Sequence, residues 1–509
     1  MLGIRSNSSL GLDAIFQYTG SGVQLFSGTI FYIIVARLFN VYNVGAITAV
    51  AAILGLFSIV FSFGLGSAAQ HFTSYNIGRK DFASVRRTLY QIIGFGTLLS
   101  ALGLIWLFLL SPEISILFFH SYSYAPLVRL LSVLLFGTVI TGVLNGAILG
   151  MQYFRLSALI NIIMWAVYYF GTITLAFFIR SVDMIVLGWA IGIFLGVFAE
   201  GFIVIGMIRR YPKGKNISQS GYLVQYSFPI LVSGLLAYGS NNIDRLIVDF
   251  LSGLSHLGVY NYALLGASAV ATIVGPFNNL LLPKFSELVG GGKRAEIGMH
   301  VKSSAILLSS IFVPIALGAA ALSPVFITLL IGTSYLGAVL PLMIILFSAA
   351  IFVPQNNLLS IAISSVRRTK VFVYSTVTSL GVNATLSVLL IPTFGLIGAA
   401  IGYSSVYAAT FLVQYYFARN EGIASFDLTG EMKLWSSALI MLLLVLLCEY
   451  EFGLSLMLLI PYVIIGAGSY LLIAKFLKVF SKEDKNFVLS IFPENYKLVK
   501  RLISFFILH

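Results

Sequence analysis

The chain has 509 residues, of which 59% are hydrophobic and only 9% charged, and its mean hydropathy is +1.00. Soluble globular chains carry about 25% charged residues, so that class is excluded and a polytopic membrane protein is implied. The net charge of +13 raises nucleic acid as a partner, but the basic residues sit where they mark membrane topology, and the single cysteine, Cys448, supports neither a disulfide framework nor a Cys-based metal site.

A spanning helix needs about 20 apolar residues, and fourteen runs meet that length. They cover 12–38, 44–69, 89–110, 126–150, 156–179, 183–207, 222–250, 257–281, 301–322, 338–363, 371–391, 396–418, 434–450 and 455–475. Their Gly, Ile, Leu and Phe content favours helices over the alternating pattern of a membrane barrel. The first run lacks a small-residue cleavage site and reads as retained rather than removed.

The loops between runs are asymmetric in charge. Arg79, Lys80, Arg86 and Arg87 follow the second run, Arg209, Arg210, Lys213 and Lys215 the sixth, and Lys284, Lys293, Arg294 and Lys302 the eighth. With Arg5, Arg155, the 367–370 loop, Arg419, Lys433 and the tail, one side holds all the lysines; only Arg37, Arg129, Arg180 and Arg245 fall elsewhere. The positive-inside rule places that side, and therefore both termini, in the cytoplasm, which predicts a multi-pass protein of the plasma membrane. The opposite loops are too short for a catalytic or receptor domain, so function is expected within the helices.

An internal repeat appears at an offset of about 212 residues. LLSPEISILFF from Leu109 resembles ALSPVFITLLI from Ala321, Arg155 falls opposite Arg367, and VLGWAIG from Val186 resembles LIGAAIG from Leu396. Six spans per unit is an even number, so the copies are parallel and predict two six-helix bundles around a central cavity. The expected divisions are an N-terminal lobe at 1–215, a C-terminal lobe at 216–430, two further helices at 431–476 and an amphipathic cytoplasmic tail at 477–509. Those two helices are apolar enough to form a lateral groove for a lipid tail.

Polar residues inside the spans name the candidate site. Asn241, Arg245 and Asp249 recur at i, i+4 and i+8 on one helical face, with Asn242 and Asp244 beside it. Such a face in a membrane span points to a bundle interior or watery cavity, and the planar arginine fork suits a phosphate. Equally, Arg245 can neutralise Asp244 or Asp249 and lock helix packing. Gln17, Gln24 and Arg37 occupy the repeat-related first span, and Gln70 and His71 close the second. Asn278 and Asn279 follow Pro276 in the eighth. Asp13 and Glu200 are candidates for ion coupling through a proton on a buried carboxylate. Pro354 to Asn357 form another polar interruption. No HExxH, Walker loop or supported catalytic triad is present, and His120 and His256 are isolated, so no metal, cofactor or enzymatic activity is expected.

The stretch NNIDRLIVDFLSGLSHLGVYNYA, from Asn241 to Ala263, resembles the seventh-helix pattern of Wzx-type polysaccharide and lipid-linked oligosaccharide flippases. These belong to the multidrug, oligosaccharidyl-lipid and polysaccharide (MOP) exporter superfamily. Asp244, Arg245, Gly258, Val259, Tyr260 and Ala263 match, as do VARLFNVYNVGAI and LIGAAIG. The resemblance implies an all-α, V-shaped two-lobe transporter of 14 helices, two six-helix repeats plus two C-terminal helices. Its cargo would be an isoprenoid phosphate- or diphosphate-linked glycan, carried to the outer leaflet by alternating access, with membrane lipids and glycosyltransferases of the same pathway as partners. The chain departs from the strongly basic cavity of the lipid II flippase branch, which counts against lipid II as cargo. A cation-coupled multidrug antiporter of the same superfamily is the other transporter class, and a membrane glycosyltransferase would require an acidic outer loop that the chain lacks.

Overall fold

A computed structural model describes residues 10–212, 220–291 and 294–479. Among the described residues the structure is all helical and contains 14 helical segments long and apolar enough to span a membrane, the number expected. Large apolar side chains stand on the outside of these helices, such as Leu195, Phe198 and Phe202 along one span, with Phe202 84% exposed. That is the surface of a protein solvated by lipid rather than water. The tail from Asn486, expected to lie as an amphipathic segment on the membrane, falls outside the described residues.

The chain divides into two compact units, residues 1–239 with 253–258, and residues 240–252 with 259–509. The first contains α1 (Leu10–Leu38), α2 (Val41–Ser62), α3 (Leu65–Gly78), α4 (Phe82–Leu109), α5 (Ser111–Phe119), α6 (Ala125–Gly150), α7 (Phe154–Ala166), α8 (Thr172–Phe178) and α9 (Val182–Ile208). Helix α10 (Ser220–Ser252) contributes its residues to 239 to this unit and the rest to the second. The second unit continues with α11 (Leu254–Ala271), whose residues to 258 belong to the first, α12 (Gly275–Gly290), α13 (Arg294–Ala321), α14 (Ser323–Val325), α15 (Val339–Ser365), α16 (Lys370–Phe394), α17 (Leu396–Asn420), α18 (Leu428–Phe452) and α19 (Leu456–Phe476). The sequence boundary at 215 thus differs from the contact division, which also joins the last two spans to the second unit.

Local chemistry explains the breaks. Asn40 caps α2 by accepting from the Asn43 N–H at 2.8 Å, and Asp427 caps α18 through Gly430. Asp81, outside the spans, caps α4 through the Ser84 N–H and hydroxyl at 3.0 and 2.7 Å, and these bonds hold its carboxyl below the usual carboxylate range. The matched Ser-Pro pairs do the same work in both units: Ser111 and Ser323 are fully buried and each opens a short helix with proline in its first turn. This structural correspondence agrees with the internal repeat.

The second span departs from the expected uninterrupted run to residue 69. Phe63 and Gly64 both adopt left-handed backbone conformations, at φ of 50° and 71°, ending α2 and starting α3. A Cβ on Gly64 would meet Ile230 and the Ser227 carbonyl at 3.0 Å. Helix α3 then lies close against α6 because Gly146 and Gly150, one turn apart, leave room for its backbone. A Cβ on Gly66 would stand 2.7 Å from the Gly142 carbonyl, and one on Gly146 would overlap the Gly66 carbonyl. The buried core of this unit collects Leu65, Ala69, Leu89, Val143 and Ala147 around that crossing. The corresponding core of the second unit packs Phe285, Val301, Leu358 and Ala362, with a further cluster joining α13, α15, α18 and α19.

Candidate functional site

Polar clusters that link helices occur in both units among the described residues. In the second unit, the C-terminal part of α10 turns Ser240, Asp244 and Val248 inward at intervals of four residues. Asp244 is fully buried, and its Oδ2 accepts the Tyr260 hydroxyl at 2.7 Å, a hydroxyl also 3.2 Å from the Ala399 carbonyl. Asn383 on α16 lies beside the same carboxylate and donates to the Ser240 carbonyl at 3.4 Å, while Ser240 and Ser379 share a hydroxyl contact at 2.8 Å. A buried carboxylate in a span needs partners, and Tyr260 meets Oδ2 of Asp244 while Oδ1 is buried without a hydrogen-bond partner.

Arg245 stands next to this cluster but off its packed face. The guanidinium acts on Asp244, Tyr260 and Tyr403 through space. Its Nε is buried without a hydrogen-bond partner. On the same face Asn241 is exposed and Asn242 half-buried, whereas Asp249 is 4% exposed. The single polar face expected from the i, i+4, i+8 spacing is therefore graded, from open at Asn241 to enclosed at Asp249. Asp244 belongs to the packed interior, where it has no surface to offer a cargo.

In the first unit, α9 buries Glu200 completely. Its Oε1 accepts from Asn145 Nδ2 at 2.8 Å, and Asn145 also donates to Ser157 at 3.1 Å, joining α6, α7 and α9. The Glu200 Oε2 is buried with no partner. Gln17 is drawn into packing as well, donating to the Phe154 carbonyl at 2.6 Å between α1 and α7. Gln24 is half-buried and Arg37 exposed, both on α1, and Asn278 is half-buried on α12. The side chains of Asp13 and Asn279 lie outside the described residues.

A half-buried carboxylate escaped the sequence reading. Glu431, in the first turn of α18, accepts the Ser309 hydroxyl at 3.0 Å and the Gln355 amide at 3.3 Å through Oε1, and its Oε2 has no partner. Gln355 belongs to the polar interruption after Pro354, and Asn356 beside it donates to the Tyr407 carbonyl at 2.9 Å. Those amides tie α15 to neighbouring helices, and α15 runs unbroken through Pro354. The signal was present in the Asp427 cap four residues upstream, which extends the span to include Glu431. Nearby in the same unit, α13, α15 and α18 line an open apolar cavity of about 450 Å³ that includes Leu317, Phe347, Ile351 and Leu446. No group of three or more His, Cys, Asp or Glu capable of holding a metal occurs among the described residues.

These placements give physical content to the matched motif. A Cβ on Gly258 would strike the Val41 carbonyl and lie 2.8 Å from the Gly45 nitrogen, so only glycine allows that approach. Tyr260 two residues later is the donor that holds Asp244.

The family model described as "Polysaccharide biosynthesis protein" matches residues 34–340. An uncharacterized membrane protein of Methanocaldococcus jannaschii is 23% identical over 433 residues, covering 80% of this chain and 97% of its own. Among solved structures, the lipid II flippase MurJ in an inward closed conformation is similar over 91% of this chain and 98% of its own, with a TM-score of 0.73 at 18% identity. An inward-facing multidrug resistance MATE family transporter of the MOP superfamily covers 78% and 95%, with a TM-score of 0.65 at 14% identity. At those identities the likeness is one of fold. The chain belongs to the polysaccharide biosynthesis protein family.

Proposed function

We propose that this protein translocates a lipid-linked oligosaccharide, on an isoprenoid phosphate or diphosphate, from the cytoplasmic to the outer leaflet of the plasma membrane by alternating access. Family membership and the transporter fold support a membrane carrier rather than an enzyme. The observation that carries the reading is Arg245, an arginine inside a span whose Nε has no hydrogen-bond partner while the adjacent Asp244 is held by Tyr260. A charge kept in that setting with a donor to spare matches a bidentate phosphate ligand, with Asn241 and Asn242 close by for sugar hydroxyls. The apolar cavity beside α18 suits an isoprenoid tail. Glu200, with one oxygen unmatched, is the candidate for coupling to an ion gradient. The lysine distribution supports cytoplasmic termini, where glycosyltransferases of the same pathway would deliver the cargo.

In a strain depleted of the protein, wild type is expected to restore surface glycan, and Arg245→Ala at normal abundance is expected not to. The fold shared with a MATE transporter supports cation-coupled drug export as the second reading. Drug resistance conferred by the chain with no glycan defect on depletion would favour it.

A further inference from the structure

Helix α3 carries a face that neither the packing nor the clusters above use. Ser67, Gln70, His71, Ser74 and Tyr75 recur at helical spacing, and with Tyr226 of α10, in the same unit, they line an open cavity of about 560 Å³. That size falls within the roughly 300–1,000 Å³ of small-molecule sites. His71 stacks on Tyr226 with ring centroids 4.7 Å apart and planes at 15°, and on Tyr75 at 6.2 Å and 18°. Three rings in a nearly parallel row thus stand beside exposed Ser67 and Gln70. At one end Arg79 lies 5.6 Å above the Tyr75 ring and donates to its hydroxyl at 3.3 Å.

We propose that this cavity is a sugar-binding subsite, taking a pyranose ring of the glycan against the His71, Tyr75 and Tyr226 row, with Gln70 and Ser67 bonding its hydroxyls. A pyranose presents one face of C–H groups and a rim of hydroxyls. The C–H face is attracted to the electron-rich face of an aromatic ring, and the rim needs neutral donors and acceptors such as amides and hydroxyls. A lipid tail would meet too much polarity here. Ser74 donates to the Gly150 carbonyl at 3.0 Å and therefore positions α3 rather than binding. The placement follows from the backbone: the left-handed break at Phe63 and Gly64 and the glycines of α6 present this face as a block. The basic loop at Arg79 and Lys80 puts it toward the cytoplasmic side on the charge rule, where cargo is loaded. The inference rests on the flippase reading for its cargo.

The test is saturation-transfer NMR on the full chain in lipid nanodiscs, with glucose, galactose, N-acetylglucosamine and, separately, inorganic pyrophosphate as probes. At least one sugar is expected to receive transfer concentrated on its axial C–H protons, with apparent affinity about tenfold weaker in Tyr226→Ala and in Gln70→Ala. Tyr226→Phe, which keeps the stack, is expected to bind like wild type and guards against a folding defect in the alanine variants. Transfer to no sugar, or equal transfer in wild type and both alanine variants, would overturn the proposal, as would binding of pyrophosphate alone. Failure of the flippase reading is separately visible: sugar binding that depends on Tyr226 with no glycan-lipid translocation leaves this subsite standing and removes that function.

Discussion

Glu200→Gln separates a carboxylate that carries a proton from one that merely accepts a hydrogen bond. The substitution keeps the volume of the side chain and the Oε1 acceptor for Asn145 at 2.8 Å, and replaces the partnerless Oε2 by an amide nitrogen. A hydrogen bond to a charged group contributes about 1.5–3 kcal/mol and a neutral one about 0.5–1.5, so the expected loss of stability is on the order of 1 kcal/mol. Glu200→Ala also deletes the acceptor and opens a cavity, and is expected to cost about 2–5 kcal/mol. A neutral link is tolerable in this architecture: in the repeat-related pair α15 and α17, Ser360 donates to the buried Gln414 at 3.1 Å. The assay is translocation of glycan-lipid in proteoliposomes with and without an imposed pH gradient, alongside a thermal melt. Glu200→Gln is expected to melt within about 4 °C of wild type and to lose the response to the gradient. A gradient response equal to that of wild type would refute the coupling role and leave Glu200 as a packing residue.

Two further substitutions test how the units are built. Gly146→Ala pushes a methyl into the Gly66 carbonyl, and overpacking of that kind costs about 1–3 kcal/mol. It should lower the melting temperature, and Gly142→Ala, whose Cβ meets nothing within 4 Å, should not. Tyr260→Phe removes the hydroxyl that holds Asp244 and leaves a buried acceptor short of a donor, with an expected loss of about 1–3 kcal/mol measured by denaturation in detergent.

Much of the fold was legible because membrane solvation imposes long apolar runs and sided charge. The spans, the repeat and the Ser-Pro openings of α5 and α14 all follow from patterns that physics makes visible in one dimension. The break at Phe63 was not legible, because it depends on how Gly64 fits against Ile230 far along the chain. Glu431 was missed because the apolar run begins a few residues after it, and the Asp427 cap that extends the helix is a local detail. The polarity of the α10 face is visible in the sequence, and its grading from exposed Asn241 to buried Asp249 is not. Periodicity places Asp244 beside Arg245, and only the packing of Tyr260 and Asn383 shows that Asp244 is spent on the interior while Arg245 keeps a donor unused.

Arg245 is therefore where a single measurement bears hardest on the function. Proteoliposomes carrying purified protein and a labelled lipid-linked oligosaccharide report translocation as label made accessible to a membrane-impermeant enzyme. Wild type is expected to expose the label, and Arg245→Ala, with an unchanged melting temperature, to slow exposure about tenfold or more, the loss expected for a charge-assisted bond of about 1.5–3 kcal/mol. Arg245→Lys, which keeps the charge but not the fork, should fall between them. Equal rates in wild type and Arg245→Ala would contradict the assignment of Arg245 to the phosphate, and no translocation by wild type would contradict the flippase function itself.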